Sequence, residues 1–129
     1  MEASKKIIHK FGSEKDKQLK VASSDSRPVN PFPKEWRMHA FTVDALPILN
    51  EHKPITVQDS PLKAHEDLIR ALKESEEKVD LVFVGPLTDL ARALDQDPTI
   101  EENIGKLYWM GGTFLDMGNV EDPEHDGTA

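Results

Sequence analysis

Along the chain the clearest alternation of apolar and polar blocks lies in its second half. Val79-Asp80-Leu81-Val82-Phe83-Val84 is an apolar, β-branched stretch of strand length closed by Gly85-Pro86, and it predicts a β-strand. Beyond it Thr88 or Asp89 is placed to cap a helix carrying Leu90, Ala91, Ala93 and Leu94. Asp97-Pro98 then opens a short turn containing Ile100 and Ile104, and Lys106 to Met110 predicts a second strand ended by Gly111-Gly112. Residues 79–112 thus make one strand, helix, strand unit. The near-continuous apolarity of both strands predicts burial on both faces in a parallel sheet with a right-handed crossover, the mark of an α/β fold.

Upstream, Ser60 as N-cap, Pro61 at the first helical position and Leu62, Leu68, Ile69 and Leu72 on one side predict a helix reaching about Ser75. Val29 to Trp36 predicts a loop, because Pro28, Pro31 and Pro33 each remove a donor and turn the preceding residue away from helix. From Met38, the residues Phe41, Ala45, Leu46, Ile48 and Leu49 give a helix-like face that Pro47 must kink or shorten. Ile55 to Val57 is ambiguous. The first 35 residues are the least patterned, with an apolar pulse at Ile7, Ile8 and Phe11 and a short candidate strand at Leu19 to Ala22. There is no internal repeat or long linker, and 129 residues suit one domain.

Composition narrows the function classes. With 37% hydrophobic and 31% charged residues, seven Gly and nine Pro, the chain is neither collagenous nor wholly disordered. Its net charge of −8 disfavours nucleic acid as a partner. The charge is uneven: residues 1–37 hold nine Lys/Arg and five Asp/Glu, residues 38–129 seven and nineteen. The lysines of the lead segment, Lys5, Lys6, Lys10, Lys15, Lys17 and Lys20, alternate with acids and apolar residues, which reads as solvated surface rather than a polyanion-binding arm. The absence of cysteine removes disulfides, thiolate metal sites and a cysteine nucleophile. No apolar run is long enough to span a membrane or serve as a secretory signal, so a cytoplasmic chain without membrane partners is the expectation.

In an open parallel sheet, ligands lie beyond the carboxyl ends of the strands, where helix N-termini point their amides outward. Both predicted strands end on glycine. Gly85 and Gly111-Gly112 either simply stop the strands or remove side chains where backbone must approach a ligand. The following segment, Thr113 to Ala129, carries five carboxylates and Asn119, and is either a hydroxyl- or metal-recognising loop or an acidic solvated surface. Asp122 to Gly127 resembles half of an EF-hand loop, but Pro123 is badly placed and no entering helix precedes it. The five histidines (His9, His39, His52, His65 and His125) show no ligand spacing and read as surface residues. Neither a nucleophile elbow around Ser23, Ser24 or Ser26 nor a phosphate-cradling glycine loop is present.

The stretch V-D-L-V-F-V-G-P-L-T-D-L-A-R-A-L-D-Q-D-P (79–98), then K-L-Y-W-M-G-G-T-F, then G-N-V, resembles the inosine-uridine preferring nucleoside hydrolase family. The match is strongest over residues 79–129 and extends more loosely, through V-N-P-F-P-K-E-W-R and V-D-A-L-P-I-L-N, to about residue 20. The resemblance implies an α/β, Rossmann-like fold with a mainly parallel sheet and flanking helices. It also implies an N-ribohydrolase that cleaves the bond between nucleobase and ribose with the help of a calcium ion. Position by position, it implies a calcium-binding main-chain carbonyl at Val84, a ribose-pocket wall at Met110 and a ribose-hydroxyl partner at Asn119. Asp89 stands where the family usually has asparagine.

The departures are as informative as the matches. An aspartate-rich D-T-D-x-G-x-D-D opening, which in the family supplies the calcium carboxylates and the general base, is absent, as is the E-x-N pair that usually follows D-G-T-A. The expectation is therefore the middle portion of the family domain, an incomplete nucleoside hydrolase fold with no catalytic residue of its own. Either it belongs to a hydrolase that takes a nucleoside by its ribose and, in its full-length form, is open to homo-oligomeric assembly, or it is a non-catalytic ligand-binding or interaction protein derived from that fold.

Overall fold

A computed structural model describes residues 2–27, 34–51 and 54–111, with only the backbone described for 34–37. Expectations at Asn119, His52, His125 and the acidic segment from Gly112 onward lie outside the described residues. Two units divide the chain, Met1–Ser23 with Pro33–Lys63, and Ser24–Phe32 with Ala64–Ala129.

In the first unit the weakly patterned lead turns out to be helical. Helix α1 (Glu2–Phe11) has Ile7, Ile8 and Phe11 at helical spacing, Glu2 in its first turn and His9 and Lys10 in its last, the charge order a helix dipole favours. Its lysines are engaged rather than freely solvated. Lys5 pairs with Glu2 (2.7 Å) and Asp59 (3.1 Å), Lys6 with Asp44 (2.9 Å) and Lys10 with Glu51 (2.7 Å). The hydrogen bonds that Lys5 donates to Glu2 and then to Asp59 raise its pKa above the ordinary value. Strand β1 (Lys20–Ser23) forms as the sequence predicts, one residue later than the Leu19–Ala22 placement. Helix α2 (Lys34–Asp44) begins inside the predicted 29–36 loop, and Pro47 opens a separate 3-10 turn, Pro47–Leu49, instead of kinking a longer helix.

Strand β2 (Gln58–Lys63) corrects the predicted helix start. Ser60 and Pro61 are strand residues, and helix α3 (Ala64–Glu74) begins only at Ala64. Strands β1 and β2 pair in parallel, and the step from Val21 to Ser23 on β1 spans Asp59 to Lys63 on β2. Pro61 lies within that irregularity, where a residue without an N–H costs no ladder bond. Pairing with β1 thus outweighed the local Ser-Pro signal for a helix.

In the second unit the strand, helix, strand reading holds. Strand β3 (Val79–Phe83), helix α4 (Thr88–Gln96), a 3-10 turn (Pro98–Asn103) and strand β4 (Ile104–Trp109) follow in order, and β3 and β4 pair in parallel. Helices α3 and α4 and the 3-10 turn bury Leu72, Leu90, Ala93 and Ile100 against Leu81 of the sheet. Asp97 caps the 3-10 turn by accepting from the Thr99 amide at 3.1 Å, and Asn103 Nδ2 donates to the Leu72 carbonyl at 2.8 Å near the end of α3.

The predicted burial of both strand faces is not observed. Leu81 is 7% exposed while its neighbour Val82 is 71% exposed, and Leu107, Tyr108 and Trp109 are exposed too. Helices α3 and α4 supply core to one side only, so among the described residues of the second unit the apolar run of β3 is buried on one face.

Candidate functional site

Phe83 is registered against Trp109, and the Met110 amide donates to the Phe83 carbonyl at 2.8 Å, extending the ladder one rung past β4. Val84 and Met110 therefore leave adjacent parallel strands at the same, carboxyl-terminal end. Both are largely exposed. The two described residues implied as site residues are thus brought together; Asn119, the third, is outside the described residues.

Local sequence explains the shape of this end. Gly85-Pro86 cannot continue β3, and α4 starts two residues later with Leu87 in the capping position and no side-chain cap. The predicted cap at Thr88 or Asp89 is corrected: both lie inside the first turn. The Asp89 carboxylate instead accepts from Ser26 Oγ at 2.5 Å, and a negative charge in that turn suits the helix dipole. A Cβ on Gly85 would meet nothing within 4 Å, so no described group demands glycine there. Gly111 differs. A Cβ there would come within 2.5 Å of Trp109 Nε1, so glycine makes room for the indole, which donates to the Gly85 carbonyl at 3.0 Å.

Around Arg92 of α4 lies a polar cluster that sequence reasoning missed. Arg92 on α4 donates to Asp25 Oδ1 (2.8 Å) and Ser26 Oγ (2.7 Å), and its other terminal nitrogen lies 3.4 Å from His65 Nε2. His65 is buried, correcting its assignment to the surface. A signal was available: His65, Leu68, Ile69 and Leu72 fall at i, i+3, i+4 and i+7, so the histidine continues the inward stripe of α3. Because guanidinium only donates, Nε2 is the accepting nitrogen and Nδ1 carries the proton. Nδ1 has no partner among the described residues.

The described residues include no group of three or more His, Cys, Asp or Glu placed to hold a metal ion. A hard cation such as calcium takes six to eight oxygens. The Val84 carbonyl offers one, so the described residues alone do not fit such an ion. No described helix is long and apolar enough to cross a membrane.

Comparison with known proteins agrees with this architecture. A solved inosine-uridine preferring nucleoside hydrolase from Bacillus anthracis is 57% identical with a TM-score of 0.88, covering 99% of this chain and 42% of that one. Among curated proteins, probable uridine nucleosidase 2 of Arabidopsis thaliana is 38% identical over 55 residues, 43% of this chain and 17% of its own length. Pyrimidine-specific ribonucleoside hydrolase RihA of an Enterobacter species is 34% identical over 64 residues, 50% of this chain and 20% of its own. The chain thus spans well under half the length of these relatives. The family model for inosine-uridine preferring nucleoside hydrolase matches residues 3–126, and the chain belongs to that family.

Proposed function

We propose that the protein serves in N-ribohydrolysis, the cleavage of a ribonucleoside into free base and ribose, with this chain forming one wall of the ribose pocket. The observation that carries this reading is the adjacency of Val84 and Met110 at the carboxyl ends of β3 and β4. Parallel α/β sheets bind ligands at that edge.

In this reading Met110, apolar and open to solvent, packs against the sugar. The Asn119 amide, able to donate and accept at once, holds a ribose hydroxyl. Breaking the bond from C1′ to the base leaves oxocarbenium-like charge on the ribose, so a pocket that fixes the hydroxyls and excludes bulk water favours the reacting geometry. Calcium is the expected cofactor; the Val84 carbonyl would be one of its donors, and the chemistry it would supply is acidification of the attacking water. In this reading the carboxylates that would complete its shell, and the general base, are not among the described residues. The names of the relatives make uridine and inosine the first substrates to test, and assembly into a homo-oligomer belongs to the same proposal.

The test is a nucleoside cleavage assay with uridine and inosine, following base release by absorbance as calcium is titrated. It is run on the 129-residue chain and on the longest form its gene encodes. Calcium-dependent release is expected from the longer form and none from the 129 residues alone. Failure of every form to cleave either nucleoside in saturating calcium overturns the reading.

A further inference from the structure

Ser26, Asp89 and Arg92 take no part in the proposed ribose wall. The chain passes from the first unit into the second at Ser24 and is back in the first at Pro33. The described part of that excursion, Ser24-Asp25-Ser26-Arg27, contains no apolar residue, so burial of apolar side chains does not hold it. Polar bonds do. Ser24 Oγ accepts from the Ser26 amide at 3.0 Å, a local turn that leaves Ser26 half-buried while Ser24, Asp25 and Arg27 are exposed. The Ser26 hydroxyl accepts from Arg92 Nη1 at 2.7 Å and donates to Asp89 Oδ1 at 2.5 Å, and the same arginine nitrogen donates to Asp25 Oδ1 at 2.8 Å. Guanidinium only donates and carboxylate only accepts, so the hydroxyl proton is directed to Asp89. The exposed Arg92–Asp25 pair is screened by water and contributes little. The Ser26 bridge, half-buried with a charged group at each end, is the stronger tie. Asp89 and Arg92 stand one turn apart on α4, at i and i+3, whereas Leu90 and Ala93 of the same helix carry the core, so α4 uses separate stripes for the two tasks.

We propose that residues 24–27 are a strap, latched to α4 by Arg92 and Asp89 through the Ser26 hydroxyl, which opens and closes while the apolar core of the second unit stays intact. Segments held by a few polar bonds lie at the low-stability end of a protein, where local opening precedes global unfolding. Opening breaks the Arg92–Asp25, Arg92–Ser26 and Ser26–Asp89 bonds and displaces no member of the core around Leu72, Leu90, Ala93 and Ile100. The inference stands apart from the nucleoside reading, since neither the latch nor its opening needs a ligand.

Endoproteinase Asp-N cuts before aspartate and needs its substrate extended. One digest therefore reads the open strap at the Ser24–Asp25 bond and the helix at the Leu94–Asp95 bond, with mass spectrometry following both products. Each rate is taken relative to that of a peptide carrying the same substitution. Arg92→Met keeps the aliphatic stem and loses the donors, and Ser26→Ala loses only the hydroxyl. Hydrogen bonds to charged groups are the stronger kind, so losing them is expected to raise the open population, and Ser24–Asp25 cleavage with it, about ten-fold in both variants. Cleavage at Leu94–Asp95 is expected to stay within about two-fold of wild type. The same holds for hydrogen exchange at the Ala91 and Asp97 amides, which donate to the Leu87 and Ala93 carbonyls. Unchanged Ser24–Asp25 cleavage in Ser26→Ala overturns the latch. Equal acceleration at both bonds overturns the strap, because the whole unit then opens together. If Arg92→Met does not fold, Ser26→Ala, which leaves every residue of α4 in place, decides alone.

Discussion

Neighbouring residues on β3 offer a direct test of its one-sided burial. Leu81 belongs to the core with Leu72, Leu90, Ala93 and Ile100, whereas Val82 points away from it. Leu81→Ala removes three heavy atoms from a packed site; the lost transfer free energy and the cavity left behind together cost about 3 kcal/mol, within the usual range of about 2 to 5. Val82→Thr keeps size and β-branching and adds a hydroxyl. On an exposed face it should change stability by less than about 0.5 kcal/mol, whereas an unpaired hydroxyl in a covered one costs about 1 to 3 kcal/mol. Urea unfolding followed by far-ultraviolet circular dichroism measures both. With a slope of about 1.5 kcal/mol per molar urea, the Leu81 variant should unfold about 2 M earlier and the Val82 variant within about 0.3 M of wild type. A Val82→Thr loss above about 1 kcal/mol would show that the outer face is covered in solution, refuting the reasoning.

Other outcomes follow from individual side chains. His65→Leu removes a buried N–H without a partner among the described residues, while Arg92 keeps Asp25 and Ser26; a gain of about 1 kcal/mol, or about 4 °C in Tm, is expected, and a lower Tm would contradict it. Hydrogen bonds from Lys73 and then Thr99 hold the Asp97 carboxyl below its ordinary value of 3.8. A depressed acid stabilises the fold above its unfolded pKa and loses that contribution as pH falls through the folded one. The Tm gap between wild type and Asp97→Asn should therefore narrow on acidification from about pH 5 to about pH 2, and parallel curves would rule it out. Asn119→Ala should slow nucleoside turnover in the longest form with little change in Tm; equal turnover removes that assignment.

Much of this was legible because local signals and packing agree in the second unit. The β-branched run 79–84, the glycine stops and the apolar spacing of α4 all mark the same elements, and the strand ends then locate the candidate site. Where local and long-range preferences conflict, sequence misleads. Ser60-Pro61 is a helix start by local chemistry, yet its segment pairs with β1, a partner nearly forty residues earlier. Helix α1 escaped notice because its apolar residues are few and its lysines find acids far along the chain, Asp59 and Glu51 among them. His65 was judged by residue type when its position on α3 was the better guide. The apolarity of β3 predicted two covered faces because composition reports hydrophobicity, not which neighbours this chain supplies.

The indole at the strand tips is also an optical probe. The chain contains two tryptophans, Trp36 and Trp109, so replacing the first by phenylalanine leaves a single emitter beside Val84 and Met110. Indole emission shifts to the blue when water leaves the ring. Trp109 is 41% exposed. Any molecule that seats itself against the tips will therefore change the colour of the protein's own fluorescence, giving a label-free measure of occupancy before a single bond is cleaved.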